Sequence, residues 1–583
     1  MISLDTEQTR AVEAASPTMV NASAGSGKTR CLIAKILRLM EQGISPDNIC
    51  AITFTNKAAN EMKERLKLHC DSIGKMQVST IHSLCVGIIR NFTRHLPIKP
   101  NFSIYDDGDQ LSIVKTIIKS RELPGEPKTY VLAISHIKSM GSDNVRKSFR
   151  LSQFTSELNE GNFLLVYKTY QEILLKNNAC DFDDLLIYAN DCLGHKDCAD
   201  FYSKKWPHLL VDEFQDTSLI QYDIINKLYT KNSKTLFVVA DFNQSIYQFR
   251  GAHPENIKHF IELHKPTVCH LSFNYRCSPE IIKHANQYIQ YGNQMVAKNP
   301  FQGSISFTGF NSQEDEAEKI SNALIRANDY ENTAILFRVN ARSLFFERAF
   351  ASKHIPYKVV GALPYYKRRV PKDLMSFLKA STNRDDLESL NRIVNVPPRG
   401  FGAKKKEILL REGWSYLETM AYEMPRIRGL INILNEIKGM TPSEAVETIL
   451  YKTDYRTTIK KDSDRTMLTS FLEIIREFRT IEDLVLASTF LEEDTGHGVK
   501  LLTAHASKGL EFNTVLVVGV EEGVWPHSFA VDKKEEERLF YVACTRAQKC
   551  LNISYSKTRT YMGRSVESKP SYLFNNSFRF HKA

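Results

Sequence analysis

The sequence predicts an α/β protein built on parallel sheets and interrupted by helical segments, on three observations. Apolar runs short enough for buried strands end in small, hydroxyl or acidic residues: Met19–Val20, Asn48–Thr55, Gln77–His82, His208–Asp216 and Thr235–Ala240. Helical periodicity follows them, most clearly over Cys31–Met40. A turn of small residues, Asn21-Ala22-Ser23-Ala24-Gly25-Ser26-Gly27-Lys28-Thr29, joins the first run to its helix.

That turn is the most informative stretch. Small residues let the backbone wrap an anion, with N–H groups pointing inward at a helix start. Lys28 would reach the β- and γ-phosphates of a nucleoside triphosphate, and the Thr29 hydroxyl would hold Mg²⁺. Ala22 stands where the full pattern has Gly. A glycine-rich turn before a core helix is the plainer alternative, and the strand–loop–helix context outweighs it. Upstream, Leu4–Val12 reads as a helix capped by Asp5 or Thr6, and the Gln8 amide suits an adenine edge.

At 583 residues the chain exceeds one core, and about three to five compact units are expected. Lys and Arg number 77 against 67 Asp and Glu, an excess of +10 that fits a polyanion partner without identifying one. The 11 cysteines include no Cys-x-x-Cys pair, which points to reduced thiols inside a cell and away from a zinc or iron–sulfur site. No apolar run approaches the roughly 18 residues of a membrane span, and the N-terminus lacks a signal pattern. A soluble, intracellular protein with no membrane partner is expected.

Along the chain, the second and third runs end in Thr55-Asn56-Lys57 and Thr80-Ile81-His82. At the carboxyl edge of a parallel sheet such groups could hold successive phosphates, although helix capping explains each one singly. From about Pro97 to Lys205 helical patterns dominate: Gln110–Ser120, Tyr130–Met140, Gly161–Lys176 and Phe182–Asn190. The acids Asp181, Asp183 and Asp184 suit a first helical turn, which explains them without function. At Leu209–Asp216 an apolar run delivers Asp212, to hold Mg²⁺ through water, and Glu213, to polarise the attacking water. After Thr235–Ala240, Gln244 offers an amide to a γ-phosphate. Tyr247, Phe249 and Arg250 offer the ring faces and cation that single-stranded nucleic acid stacks on. A second α/β pattern comprises Gly303–Phe310, Thr333–Val339, Tyr357–Gly361, Val499–Ala504 and Thr514–Val520, interrupted by a polar helical stretch from Asn383 to about Gly498.

The ordered set LDTEQTRAV, ASAGSGKTR, AITFTNKAANEM, STIHSLC, DFDDLL, LLVDEFQDTS, VVADFNQSIYQFRGA, SFNYRCSPEI, AILFRVNARS, VNVPPRGFG, LLTAHASKGLEF, EEGVWPH and EEERLFYVACTRA resembles the UvrD/Rep/PcrA-like superfamily 1 helicases over nearly the whole length. The resemblance implies two RecA-like P-loop NTPase domains with parallel sheets, each interrupted by a mainly helical insertion. The first would be 1–96 with 200–276 and the second 277–380 with 498–583; the insertions would be 97–199 and a short 381–497. It further implies an ATP- and Mg²⁺-dependent DNA helicase or translocase, moving 3′→5′ on single-stranded DNA in repair, recombination or replication. A translocase that displaces proteins with little unwinding is the alternative. Implied partners are single-stranded DNA, single–double-strand junctions and repair or replication proteins, for a monomer or weak dimer in the cytoplasm, nucleoid or nucleus.

Carried over by position, Gln8 resembles the adenine reader, and Ala24, Gly25, Ser26, Gly27, Lys28, Thr29 and Arg30 the phosphate loop. Thr29 and Asp212 resemble the Mg²⁺ holders, Glu213 the base and Gln244 the γ-phosphate sensor. Tyr275 matches the residue that stacks on adenine, Arg276 a γ-phosphate contact, Glu511 a ribose contact and Arg546 an arginine finger. Thr55, Asn56, His82, Tyr247, Phe249, Arg250, Arg338, Asn340 and His505 fall at DNA-associated positions. Triphosphate binding is then expected to pull together one half bearing Lys28, Thr29, Asp212 and Glu213 and another bearing Arg276 and Arg546. Gln248 and Phe249 stand where relatives commonly carry Arg and Trp, and Lys367, Val370 and Pro371 also depart from the pattern, so a weaker grip on the DNA or a different regulation of the step is expected.

Overall fold

The computed structural model describes residues 2–69, 75–139, 158–230, 233–248, 251–360, 368–460, 462–476, 478–485, 497–528, 530, 532–561 and 564–582. Phe249, Arg250, Met140 and Lys367 therefore lie outside the described residues. Two compact units divide the chain, Met1–Phe301 and Gln302–Ala583.

The strands of the first unit are β1 (Thr18–Ala22), β2 (Ile49–Thr53), β3 (Gln77–Thr80), β4 (Ser103–Tyr105), β5 (Ala179–Asp181), β6 (His208–Val211), β7 (Thr235–Ala240), β8 (Thr267–Leu271), β9 (Phe273–Asn274) and β10 (Val296–Ala297). Among the described residues six of them form one parallel sheet, ordered β3-β2-β6-β7-β1-β8. Every residue of β1, β2, β6 and β7 is buried, because helices cover both faces. The two-residue pleat explains how one strand feeds two cores. Met19, Ile52 and Val211 pack with the helices Ile81–Phe92 and Phe182–Gly194, whereas Val20, Ala51 and Leu210 pack with Lys28–Glu41 and Asn56–Lys67. All six carboxyl ends share one edge, and the chain leaves that edge at residues 23, 54, 81, 212, 241 and 272. Residues 277–301 cluster with this unit, where Asn286 bonds Met295 and Asn243 bonds the backbone of Gln290 and Tyr291.

Between β3 and β6 lies a helical segment with its own core, built from Val114, Tyr130, Ile134, Phe163 and Tyr170. The acids at its end do more than suit a helix dipole. Asp181 is the N-cap of Phe182–Gly194 and forms a capping box with Asp184. The Lys138 ammonium, fully buried, lies 2.6 Å from Asp181 and 2.7 Å from Asp184, and the Tyr170 hydroxyl donates to Asp181 at 2.9 Å. Asp183 beside them is pushed up to about 7 by burial and then by the charge of Asp181. Between about pH 4 and pH 7 the folded state thus keeps a proton on Asp183 that the unfolded chain has released. Its contribution to stability is full in acid and is lost as pH rises through about 7. Asp183→Asn is expected to raise the melting temperature at pH 8 by about 2–4 °C and to leave it unchanged near pH 4, read by thermal melts at both values.

The second unit contains β11 (Ser304–Ser312), β12 (Thr333–Phe337), β13 (Tyr357–Val360), β14 (Val499–Thr503), β15 (Phe512–Val517), β16 (Ala547–Tyr561) and β17 (Arg564–Glu567). The order is β11-β16-β15-β12-β14-β13, parallel throughout, with β17 antiparallel on β16. Between β13 and β14 the helices from Arg369 to Ile475 enclose a separate core around Leu374, Phe377, Leu430 and Ile449. Among the described residues no helix is long and apolar enough to cross a membrane.

Candidate nucleotide site and nucleic-acid face

The loop after β1 is shaped by two left-handed glycines, Gly25 (φ 65°) and Gly27 (φ 84°). Neither could carry a side chain. A Cβ on Gly25 would stand 2.8 Å from Arg276 Cβ and Asn274 Nδ2, and one on Gly27 would stand 2.7 Å from Gln8 Nε2. Ala22 is the last residue of β1, extended and fully buried, so its position demands no glycine. The helix Lys28–Glu41 opens at Gly27 with no side-chain cap, which leaves its first N–H groups facing the loop.

Neighbouring strand ends supply the charges. Parallel pairing of β1 with β7 sets Asn21 beside Ala240, and so brings Asp241 to the loop. Asp241, fully buried, lies 3.1 Å from Lys28 Nζ and accepts the Gln244 amide at 2.7 Å through the same oxygen. Its own N–H donates to Gln215 Oε1 at 2.9 Å, and Gln215 Nε2 donates to Glu213 Oε2. Lys28, Asp241, Gln244, Gln215 and Glu213 therefore form one connected set. Asp212 is buried at the end of β6 and takes the Glu213 N–H on Oδ1 at 3.0 Å. Glu213 itself is left-handed (φ 51°, ψ 41°), a conformation that costs a non-glycine residue about 1 kcal/mol or more and that recurs at functional sites.

The segment after β8 closes the loop from the other side. Tyr275 N–H bonds the Gly25 carbonyl at 3.0 Å, and Asn274 Nδ2 bonds that of Ala24 at 2.6 Å. Arg276 consequently belongs to the same unit as Lys28. The sequence pattern pairs it with Arg546 on the opposite half, and the structure corrects this, because the chain beyond β8 folds back along the phosphate loop. Tyr275 is 43% exposed; its hydroxyl donates to Asp5 at 2.6 Å and is pushed up to about 12 by burial and that bond. Gln8 is buried, donating Nε2 to the Ser26 carbonyl at 2.9 Å while Oε1 accepts the Asp5 N–H, so it ties the first helix to the loop. Arg30 is exposed one turn into the helix.

This donor set fits a nucleoside triphosphate with a hard cation: a backbone cradle, an ammonium, a hydroxyl on Thr29 and a carboxylate on Asp212. Along the same edge stand aromatic rings. Phe54, after β2, stacks on Tyr247 at 5.6 Å and 17°. His82, after β3, meets Phe182 edge-on at 6.2 Å, and burial lowers the histidine below its ordinary value. Phe54 and Phe182 are exposed, which the sequence reading misses. Thr55 caps the helix beginning at Asn56, and both are exposed.

In the second unit the candidates fall at opposite edges of the sheet. Arg338 and Asn340 follow β12 and His505 follows β14, at the carboxyl edge. Glu511 precedes β15 and Arg546 precedes β16, at the amino edge, where Phe512 N–H bonds the Arg546 carbonyl at 2.9 Å. Glu511 accepts the Gln548 amide at 3.1 Å.

A parallel sheet with a phosphate loop at its carboxyl edge, repeated as a second parallel sheet, defines a RecA-like P-loop NTPase fold present twice. Residues 4–265 match the UvrD/REP helicase N-terminal domain, and residues 269–421 and 415–558 match the UvrD-like helicase C-terminal domain. The chain is 34% identical to the ATP-dependent DNA helicase PcrA of Staphylococcus epidermidis, over 97% of this chain and 85% of that protein. It is 33% identical to PcrA of Staphylococcus aureus over the same shares. The chain belongs to the UvrD/REP helicase family and is an enzyme of the helicase class.

Proposed function

We propose that this chain hydrolyses ATP to move along single-stranded DNA in the 3′→5′ direction, opening single–double-strand junctions during repair, recombination or replication inside the cell. One observation carries the reading. Lys28, Asp212, Glu213 and Gln244 converge at the sheet edge that also presents the Phe54–Tyr247 stack and the His82–Phe182 pair. Chemistry and a base-stacking surface thus share one rigid support.

Within it, the loop from Ala24 to Thr29 cradles the phosphates, and Lys28 and Gln244 exchange Asp241 for the terminal phosphate. Glu213 accepts the proton of the attacking water. Thr29 and Asp212 would hold Mg²⁺, which would neutralise phosphate charge. Tyr275 offers its exposed ring to the adenine, Arg276 adds a cation beside Gly25, and Arg546 is the arginine finger. Thr55, Asn56, Tyr247, His82, Arg338, Asn340 and His505 contact the DNA.

Lys28→Ala is expected to reduce ATP turnover stimulated by single-stranded DNA at least about 100-fold and to leave DNA affinity within about threefold of wild type. Steady-state turnover with and without oligonucleotide, beside fluorescence anisotropy, measures both. Turnover that survives the substitution overturns the assignment.

A further inference from the structure

The loop after β12 carries Arg338 and Asn340, and a carboxylate grips each end of it. Buried Arg342 donates Nη2 to Glu521 at 2.7 Å, and Glu521 also holds Arg559 Nε at 2.7 Å. At the other end Arg338 donates Nε to both oxygens of Glu536, at 3.1 and 3.0 Å, and Nη2 to Oε1 at 2.7 Å. The Glu536 side chain is only 5% exposed, and its Oε2 also accepts the His527 N–H at 3.3 Å. A guanidinium fork closed on a carboxylate has its plane fixed, which a single ammonium contact does not achieve. These bonds engage Nε and Nη2, while the Arg338 side chain keeps 19% of its surface in solvent.

Glu536 stands in the first turn of the helix Lys533–Cys544, where the helix field favours a negative charge. The far end of the same helix runs through Thr545 into Arg546, whose Nε donates back to the Val542 carbonyl at 2.9 Å. Arg338 leaves β12 at the carboxyl edge of the sheet and Arg546 enters β16 at the amino edge. The helix therefore spans the sheet between them, a rod of about 12–15 Å from Glu536 to its end.

We propose that Glu536 is a positioning residue: it sets the plane of Arg338 toward a DNA phosphate and ties that contact, through one helix, to Arg546. The proposal rests on the reading of Arg338 as a DNA contact and Arg546 as a phosphate contact. Glu536 touches neither ligand. Loss of its charge frees the Arg338 fork to swing, and DNA engagement no longer pulls on the helix that ends at Arg546.

The test uses the full chain with Glu536→Gln, Arg338→Gln and the double variant. An oligothymidylate is titrated by anisotropy at several salt concentrations, and ATP turnover is measured with and without it. Glu536→Gln is expected to weaken oligonucleotide binding about tenfold, lower the salt slope by about one, and reduce the ratio of stimulated to unstimulated turnover. The double variant is expected to bind no more weakly than Arg338→Gln alone. Additive losses in the double variant, or wild-type affinity in Glu536→Gln, overturn the proposal. Should Glu536→Gln fail to fold, Arg338→Lys tests the same point, since lysine keeps the charge but cannot fork. It is expected to reproduce the loss, and wild-type binding by it overturns the proposal. A wild-type chain that neither binds nor responds to the oligonucleotide overturns instead the reading beneath it.

Discussion

Arg546→Ala is expected to lower DNA-stimulated ATP turnover by about 10³–10⁵-fold, the range found for cations supplied to a transferring phosphoryl group. The side chain is held in a defined place. Nε donates to the Val542 carbonyl at 2.9 Å, Nη1 to that of Leu510 at 3.3 Å and Nη2 to the Thr545 hydroxyl at 3.1 Å, and the residue is 1% exposed. A cation at the last turn of a helix is favoured by the carbonyl ends gathered there. Those same bonds supply the competing explanation, that Arg546 merely staples the helix end to the segment before β15. Truncation to alanine removes both carbonyl contacts, although the Val542 carbonyl keeps the Thr545 hydroxyl, at about 1–3 kcal/mol. A melt therefore accompanies the kinetics, and Arg546→Lys separates the roles. Lysine can satisfy a carbonyl but cannot present the planar fork, so it is expected to restore most of the stability and little of the turnover. A kcat for Arg546→Ala within tenfold of wild type, in a folded protein, would reduce the residue to a staple.

The parts of this site that stand in one stretch of chain were legible in the sequence. Gly25, Gly27, Lys28 and Thr29 announce themselves through small residues between a strand and a helix, and the structure shows why Ala22 is harmless there: extended backbone asks for no glycine. Asp241 was not legible. It ends an apolar run just as Asp212 does, but its importance comes from register, since Asn21 opposite Ala240 puts it against Lys28. Gln215 is missed for the same reason; its amide matters only because Glu213 and Asp241 stand on either side of it. Phe54 and Phe182 read as core residues by type, and only their exposure marks them as a surface. Arg276 reads as a remote cation until the fold-back after β8 is seen. The long strand Ala547–Tyr561 escapes because Gln548, Asn552, Ser554, Ser556 and Thr558 break its apolar pattern, and hydrogen bonds across to Ser306, Glu316 and Asn311 make those polar residues acceptable.

Glu213→Gln is expected to reduce turnover by about 10²–10⁴-fold while ATP and DNA affinities stay within about threefold, because it removes the proton acceptor and little else. The backbone argues for this role as strongly as the side chain does. Glu213 is held left-handed at the end of β6, with Asp212 Oδ1 taking its N–H and the Asp216 N–H taking its carbonyl at 3.0 Å. Such a conformation persists only where the surroundings over-determine it. Gln215 then fixes one oxygen of the carboxylate. Glutamine preserves the volume and the reach, so a collapse in kcat at unchanged affinity isolates the chemistry from the fold. The pairing with Gln215 is also why the loss is not complete: an amide at 213 can still orient a water through its carbonyl oxygen, though it cannot take the proton. Pre-steady-state turnover and nucleotide titration measure the two quantities separately. If kcat falls by less than about tenfold, the water is activated elsewhere in the connected set, and Asp241, already bridging Lys28 and Gln244, becomes the group to substitute next.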